Sequence, residues 1–142
     1  MKLIPTDIKE IIEKNTISSI LLYQDENFIL VVDPKHNQKD YHYTAWHKRD
    51  IRSLLELNKK DVPQIQDLID NVNRLDLVPK DCNIYIHFPP NFWRLHIHFV
   101  SQSYFDLLNI HDSDTYLLSV VLGNLLINEN YYRDNVIIKG KL

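Results

Sequence analysis

The sequence predicts an α+β fold, with a mainly antiparallel sheet of about five strands and helices packed on one face. Residues 83–100 contain two runs in which polar and apolar side chains alternate, separated by a double proline. Residues 17–33 contain two further runs of branched residues, separated by a short polar stretch. Helical periodicity appears in separate segments rather than between every two strands, which favours strands joined by hairpins.

Length and composition indicate one domain over residues 1–142, with 44% hydrophobic residues and a net charge of −3. This charge gives no general attraction to nucleic acid or acidic membrane, so a phosphate-bearing ligand would have to be held locally. No segment reaches membrane-spanning length, and the single cysteine, Cys82, cannot form an internal disulfide. We expect a protein of the cytoplasm, or of the nucleus, without a membrane partner.

The first part of the chain predicts one helix and three strands. Thr6 or Asp7 is placed to cap a short amphipathic helix that stops near Asn15. Residues 17–23 and 28–33 then form a hairpin. Residues 41–47 alternate well enough to form a third strand, which ends at the charged residues that follow.

The second part predicts two larger helices around the central hairpin. Residues 51–57 form a short helix or turn, and a longer helix runs from Asp61 to Leu75 with Pro63 in its first turn. Residues 114–128 are rich in apolar side chains and predict a buried helix. Residues 136–138 are branched and predict a last, short strand.

The central hairpin carries the candidate chemistry. In a strand, successive side chains point to opposite faces, so Arg94, His96 and His98 share one face and the apolar residues between them share the other. His87 belongs to the polar row of the preceding strand. If the two strands pair, four groups able to carry positive charge converge without a carboxylate among them. Such a patch suits an anion.

Two uses of this patch compete. In the first, neutral His96 attacks phosphorus, while Arg94, His98 and the loop residue Asn91 neutralise the phosphoryl oxygens. In the second, His87, His96 and His98 bind zinc. The second is less favoured, because no acidic ligand lies nearby and the arginine would repel a cation. A glycine-rich phosphate loop is excluded, because the chain has only two glycines.

The hairpin also carries a family resemblance. The run Arg94-Leu-His-Ile-His-Phe-Val100 resembles the signature of the histidine triad superfamily, and the longer run His87-Phe-Pro-Pro-Asn-Phe-Trp-Arg-Leu-His-Ile-His-Phe99 is similar to the corresponding segment of the scavenger mRNA decapping enzymes. Ile51-Arg-Ser-Leu54 and Asp33-Pro-Lys35 are similar to further segments of that family. The resemblance covers about residues 28–140. It implies a histidine-triad-like fold and a homodimer.

The resemblance also implies a reaction. The family hydrolyses a methylguanosine cap dinucleotide or short capped RNA, and releases methylguanosine monophosphate through a covalent histidyl-nucleotide intermediate without a metal or other cofactor. By this likeness, His96 is the nucleophile, and His98 and His87 contact phosphate or assist the leaving group. The residues implied in cap and phosphate binding are Asp33, Pro34, Lys35 and Tyr41, together with Arg94, Asn91 and Phe92.

The chain departs from the family pattern at three positions in the hairpin. Arg94 replaces the first triad histidine, Asn91 stands at a serine, and Phe92 stands at a tyrosine. We also expect the family's N-terminal domain, which swaps between subunits, to be absent. Two alternatives to cap hydrolysis therefore stay open. One is a general dinucleotide or nucleotidyl hydrolase without cap preference, and the other is a catalytically inactive module that binds a cap or nucleotide.

Overall fold

A computed structural model describes residues 2–32, 42–103 and 114–138. Neighbouring strands are all antiparallel and follow the order β1-β2-β3-β5-β4-β6. The predicted α+β class is confirmed, with six strands rather than about five. The strands are β1 (Leu21–Gln24), β2 (Phe28–Val32), β3 (His42–His47), β4 (Cys82–His87), β5 (His96–Ser101) and β6 (Thr115–Leu117), and the helices are α1 (Thr6–Lys14), α2 (Val62–Arg74), α3 (Leu118–Ile127) and α4 (Tyr131–Ile138).

Both predicted hairpins form. The β1–β2 turn is held by the Asp25 carboxylate, which accepts hydrogen bonds from the amides of Asn27 and Phe28 at 2.8 Å each. In the second hairpin, β4 and β5 pair so that Tyr85 lies opposite His98. Along β5, Ile97 and Phe99 fall on the face opposite His96 and His98, whereas Val100 shares the histidine face.

Three helices cover one face of the sheet, and α1 covers part of the other. Residues of α2, α3 and α4 share the main core with Leu30, Ala45 and Ile97 of the central strands. In contrast, α1 buries Ile8 and Ile11 against the opposite face, in a smaller cluster with side chains of β2 and β3. This helix is the exception to the expected packing of helices on one face, because its apolar side chains pack against the opposite face. None of the described helices has the length and apolar character that a membrane crossing requires.

The helix boundaries follow the prediction more closely than the caps do. Helix α1 ends at Asn15, which adopts the left-handed conformation with φ of 52°. Its N-cap is Pro5, so neither Thr6 nor Asp7 caps it. Asp61 precedes α2, but its carboxylate accepts from the Asn58 amide at 2.9 Å and pairs with Arg49 at 3.1 Å. It therefore anchors the preceding turn instead of the helix.

Two predictions near the C-terminus were wrong. The segment 114–128 is not helical throughout, because Thr115–Leu117 adds β6 to the edge of β4, with Tyr116 opposite Ile86. Residues 136–138 belong to α4 rather than to a strand. The preference of branched side chains for a strand depends on context, and it does not decide the structure here. Tyr132 anchors the helix in the core.

Candidate active site

The candidate site is the sheet face that carries His96 and His98. These residues alternate along β5, opposite Trp46 and Thr44 of β3. Because directly paired residues share a face, the pairing gathers side chains from three central strands onto one surface. His96 is 8% exposed and His98 is 9% exposed, so both imidazoles are largely screened from solvent.

The three histidines of the central hairpin lie side by side on this face. The His98 ring lies between the other two, with its centroid 4.9 Å from that of His96 and 4.8 Å from that of His87. Tyr85 stacks on the His98 ring at 4.9 Å and with an interplanar angle of 8°. The cluster can therefore offer several imidazole nitrogens to one small anion.

One hydrogen bond fixes the proton on His96. Its Nδ1 lies 2.8 Å from the carbonyl oxygen of Arg94. A carbonyl oxygen can only accept, so Nδ1 carries the hydrogen and the neutral ring has its lone pair on Nε2. This is the nitrogen that a nucleophilic histidine would use.

His42 is a member of the site that sequence reasoning missed. Its Nε2 lies 3.1 Å from Nδ1 of His98, in a buried contact between β3 and β5. One of these nitrogens must donate and the other accept, so the contact couples the tautomers of the two rings. The alternation in β3 places His42, Thr44 and Trp46 on one face. Only the pairing with β5 identifies that face as the histidine face.

Arg94 reaches the site from the turn before β5 and not from the strand itself. The turn is held by hydrogen bonds from the Leu95 amide to the Ile51 carbonyl and from the Trp93 amide to the Lys2 carbonyl. The Arg94 guanidinium is 3.5 Å from the His47 carbonyl. Arg94 and Arg52 line a small cleft together with His87 and His96. The cleft thus combines guanidinium and imidazole groups.

The other residues implied in substrate binding differ in where they lie relative to the site. Asn91 is exposed in the β4–β5 turn. Phe92 packs edge-on against Trp46, with the ring centroids 6.2 Å apart, and Lys2 Nζ lies 5.6 Å from its ring centre. It therefore supports the flank of the site. Asp33, Pro34, Lys35 and Tyr41 lie outside the described residues.

Burial keeps two histidines near the site neutral. Desolvation lowers the pKa of His87, and the nearby Asp114 carboxylate opposes this effect. Desolvation, with a smaller contribution from Arg49, lowers the pKa of His47 to about 4. His47 faces the helix-covered side, where its Nδ1 accepts from the Arg49 amide at 3.0 Å. Its proton is therefore on Nε2.

The described residues give little support for a cysteine nucleophile or for a zinc site. Burial raises the pKa of Cys82 to about 12, so this thiol is not a ready nucleophile. Across residues 2–32, 42–103 and 114–138, no group of three or more His, Cys, Asp or Glu side chains is arranged to hold a metal ion. The described residues thus do not support the zinc alternative.

Comparison with known sequences gives a consistent family. A family described as "Scavenger mRNA decapping enzyme C-term binding" matches residues 6–111. The chain is 22% identical over 143 residues to the mouse m7GpppX diphosphatase, a match that covers 92% of this chain and 42% of the mouse protein. It is 25% identical over 139 residues to the Caenorhabditis elegans m7GpppX diphosphatase, covering 89% of this chain and 44% of that protein. The chain thus spans about two fifths of these relatives.

Comparison with solved structures supports the fold. A HIT family hydrolase from Legionella pneumophila superposes with a TM-score of 0.52 at 14% identity, over 66% of this chain and 88% of that one. The aprataxin ortholog Hnt3 in complex with DNA superposes with a TM-score of 0.53 at 17% identity, over 67% of this chain and 58% of that one. At these identities the likeness establishes a histidine-triad-like fold and nothing about substrate.

Proposed function

Because the chain belongs to the family of the scavenger mRNA decapping enzyme C-terminal region, we propose that it hydrolyses a nucleoside pyrophosphate bond. The proposed substrate is a methylguanosine cap dinucleotide or a short capped RNA, and one product is methylguanosine monophosphate. The proposal is carried by one observation: His96 lies beside the other two hairpin histidines with its proton held at Nδ1 by the Arg94 carbonyl.

The first proposed step is attack by Nε2 of His96 on the phosphorus next to methylguanosine. The N–P bond forms as the bridging P–O bond breaks, and the leaving oxygen keeps the electron pair. Because Nδ1 retains its hydrogen, the nucleotidyl-imidazole ring becomes positively charged. Water then attacks phosphorus and gives a proton to the group that protonated the leaving oxygen, while the N–P bond breaks and the electron pair returns to Nε2.

The neighbouring groups supply charge and protons. In the tautomer in which His42 donates from Nε2, His98 carries its own proton on Nε2 and can pass it to the leaving oxygen. His87 and Arg94 line the same cleft as His96, where a guanidinium can stabilise charge on the phosphoryl oxygens. Asn91 supplies an amide at the rim. No step requires a metal or other cofactor.

Recognition of the cap rests on the family likeness. Asp33 and Lys35 are proposed to hold the cap nucleoside and its phosphates, Pro34 to lie against the base, and Tyr41 to contact the phosphate end. Phe92 is proposed to act through packing on the flank of the site. We further propose a homodimer that acts in RNA decay in the cytoplasm or nucleus. A gel-filtration mass of one chain would contradict the dimer.

Product analysis tests the proposal directly. The purified protein is incubated with methylated cap dinucleotide and excess chelator, beside an unmethylated dinucleotide and a His96→Asn control. Release of methylguanosine monophosphate by the unsubstituted protein alone, without loss in chelator, is the expected result. Equal rates on both dinucleotides would favour the general nucleotidyl hydrolase instead. Turnover that stops in chelator would remove the metal-free mechanism.

An inactive binding module is the second candidate, favoured by the position of Arg94. Its guanidinium contacts the His47 carbonyl, in the place where the family has a triad histidine. Calorimetry with a cap analogue separates the candidates: binding without product after prolonged incubation identifies the module. Cleavage acquired on Arg94→His substitution would then assign the loss to this position.

A further inference from the structure

Trp46 stacks on the proposed nucleophile. The ring centroids of Trp46 and His96 are 4.0 Å apart and the ring planes differ by 18°, so the indole covers one face of the imidazole. The two residues are directly paired across β3 and β5. It is shorter than the ring contact from His96 to His98 and than those from His98 to Tyr85 and His87.

The indole is itself firmly held. Its Nε1–H donates to Thr44 Oγ1 at 2.8 Å, and the ring is 5% exposed. Ile8 and Ile11 of α1 belong to the same apolar cluster, and Phe92 meets the indole edge-on. Trp46 therefore offers His96 a fixed surface and not a mobile side chain.

Two contacts at right angles fix the tautomer and the orientation of the His96 imidazole. The Arg94 carbonyl takes the Nδ1 hydrogen in the plane of the imidazole, and the indole lies parallel to that plane. The first contact sets the tautomer, and the second limits tilting of the ring. Nε2 is thereby held in one direction while the ring stays in van der Waals contact with a π-face.

We propose that Trp46 is a positioning residue for His96, which fixes the plane of the imidazole and stabilises the positive charge that the ring gains on nucleotidyl transfer. This inference rests on the proposed function. Attack on phosphorus needs a neutral His96, and once Nε2 bonds to phosphorus and Nδ1 keeps its hydrogen, the ring is cationic. A cation over an indole face is attracted by the ring quadrupole. The contact therefore strengthens during the reaction and accelerates it.

The two arginines that line the His96 cleft are unfavourable to a cationic ring, whereas the Asp114 carboxylate lies near His87. Arg94 and Arg52 line its cleft, and His87 and His98 are imidazoles that can also gain protons. Each cation would raise the energy of an imidazolium at His96. The indole is a neighbour that favours the charged ring without adding a positive charge of its own.

Fluorescence tests the contact without any substrate. The chain has two tryptophans, so Trp93→Phe leaves Trp46 as the single tryptophan emitter. A protonated imidazole quenches an indole that it touches, so Trp46 emission should fall as the pH is lowered through the titration of His96. The same titration in Trp93→Phe/His96→Asn should lose this step, although Arg52, His87 and His98 remain. Identical curves in both proteins would overturn the inference.

Kinetics test the role. Trp46→Leu removes the π-face, and we expect kcat on a methylated cap dinucleotide to fall about tenfold to thirtyfold with KM little changed. Trp46→Phe keeps an aromatic face and should lose no more than about threefold. Ile11→Ala removes apolar volume from the same cluster without touching His96, so it controls for destabilisation. Its kcat should equal that of the unsubstituted protein below its melting temperature.

The outcomes separate the two proposals. Trp46→Leu turning over as fast as Ile11→Ala, or raising KM at unchanged kcat, would reject a positioning role for Trp46. Failure of the unsubstituted protein to cleave any dinucleotide would instead reject the proposed function. In that case the fluorescence titrations still decide whether the indole senses the charge on His96.

Discussion

The two faces of the sheet are built from alternate residues of the same strands, yet they are buried by different means. On one face, Leu30, Ala45 and Ile97 lie under three helices and are fully buried. On the other, His96 and His98 are screened mainly by rings of neighbouring strands. The helix-covered face is mostly apolar, whereas the ring-covered face holds the imidazoles of His96 and His98. Substitutions on the first should therefore change stability, and those on the second should change chemistry.

The largest effect is expected at His96. His96→Asn removes the nucleophile from the histidine face, so turnover of a cap dinucleotide should fall at least about 10³-fold. Affinity for the dinucleotide, measured by calorimetry, should change little, because the phosphate-binding groups remain. Activity that persists in the variant would place the nucleophile elsewhere.

Ile97, the next residue along β5, gives the matched substitution on the helix-covered face. Ile97→Ala should lower the free energy of unfolding by about 2–5 kcal/mol, and Ile97→Val by about 1 kcal/mol, because each leaves a cavity in the core. Urea denaturation measures both. Turnover per folded molecule should hardly change. A large loss of kcat in a folded Ile97→Val protein would break the division between the faces.

His47 is the described histidine that faces the helix-covered side, so its protonation should change the free energy of unfolding. Its pKa is about 4 in the folded protein, below the value near 6.5 expected in the unfolded chain. Between these values the unfolded chain binds a proton that the folded protein does not, so stability falls as pH decreases, by up to about 3 kcal/mol.

His47→Asn should flatten that slope, because the amide oxygen can still accept from the Arg49 amide without binding a proton. Urea midpoints at pH 4.5 and 7.0 provide the comparison. The lowered pKa of His87 acts in the same direction and remains in the variant. Equal slopes in both proteins would contradict the neutral state of His47.

The smallest effect is expected at His42, which acts through His98. His42→Leu should reduce kcat about tenfold and change the pH dependence of kcat, because His98 loses the hydrogen bond that sets its tautomer. His42→Gln can still donate and should recover part of the rate. If both variants keep the original rate and pH profile, the contact has only a packing role.

Local patterning was sufficient to predict the central hairpin and its polar row. Alternation along β4 and β5 separates His87, His96 and His98 from the apolar residues before any pairing is known. The contributions of β3 depend on a pairing between residues 50 or more positions apart, such as Trp46 and His96. No local pattern specifies that partner, so His42 was missed.

The remaining differences also come from non-local contacts. Arg94 continues the strand pattern in sequence, but hydrogen bonds to Ile51 and Lys2 hold its neighbours in a turn. The edge strand β6 pairs with β4, and residues 131–138 form a helix whose Tyr132 packs in the main core. Each outcome depends on a partner distant in sequence.

Intact-protein mass spectrometry after rapid acid-free quenching tests the central claim most directly. During turnover of a methylated cap dinucleotide, the chain should gain the mass of one methylguanosine monophosphate group, and peptide mapping should locate it on His96. The His96→Asn protein should carry no adduct. Steady turnover with an adduct on another residue would contradict His96 as the nucleophile.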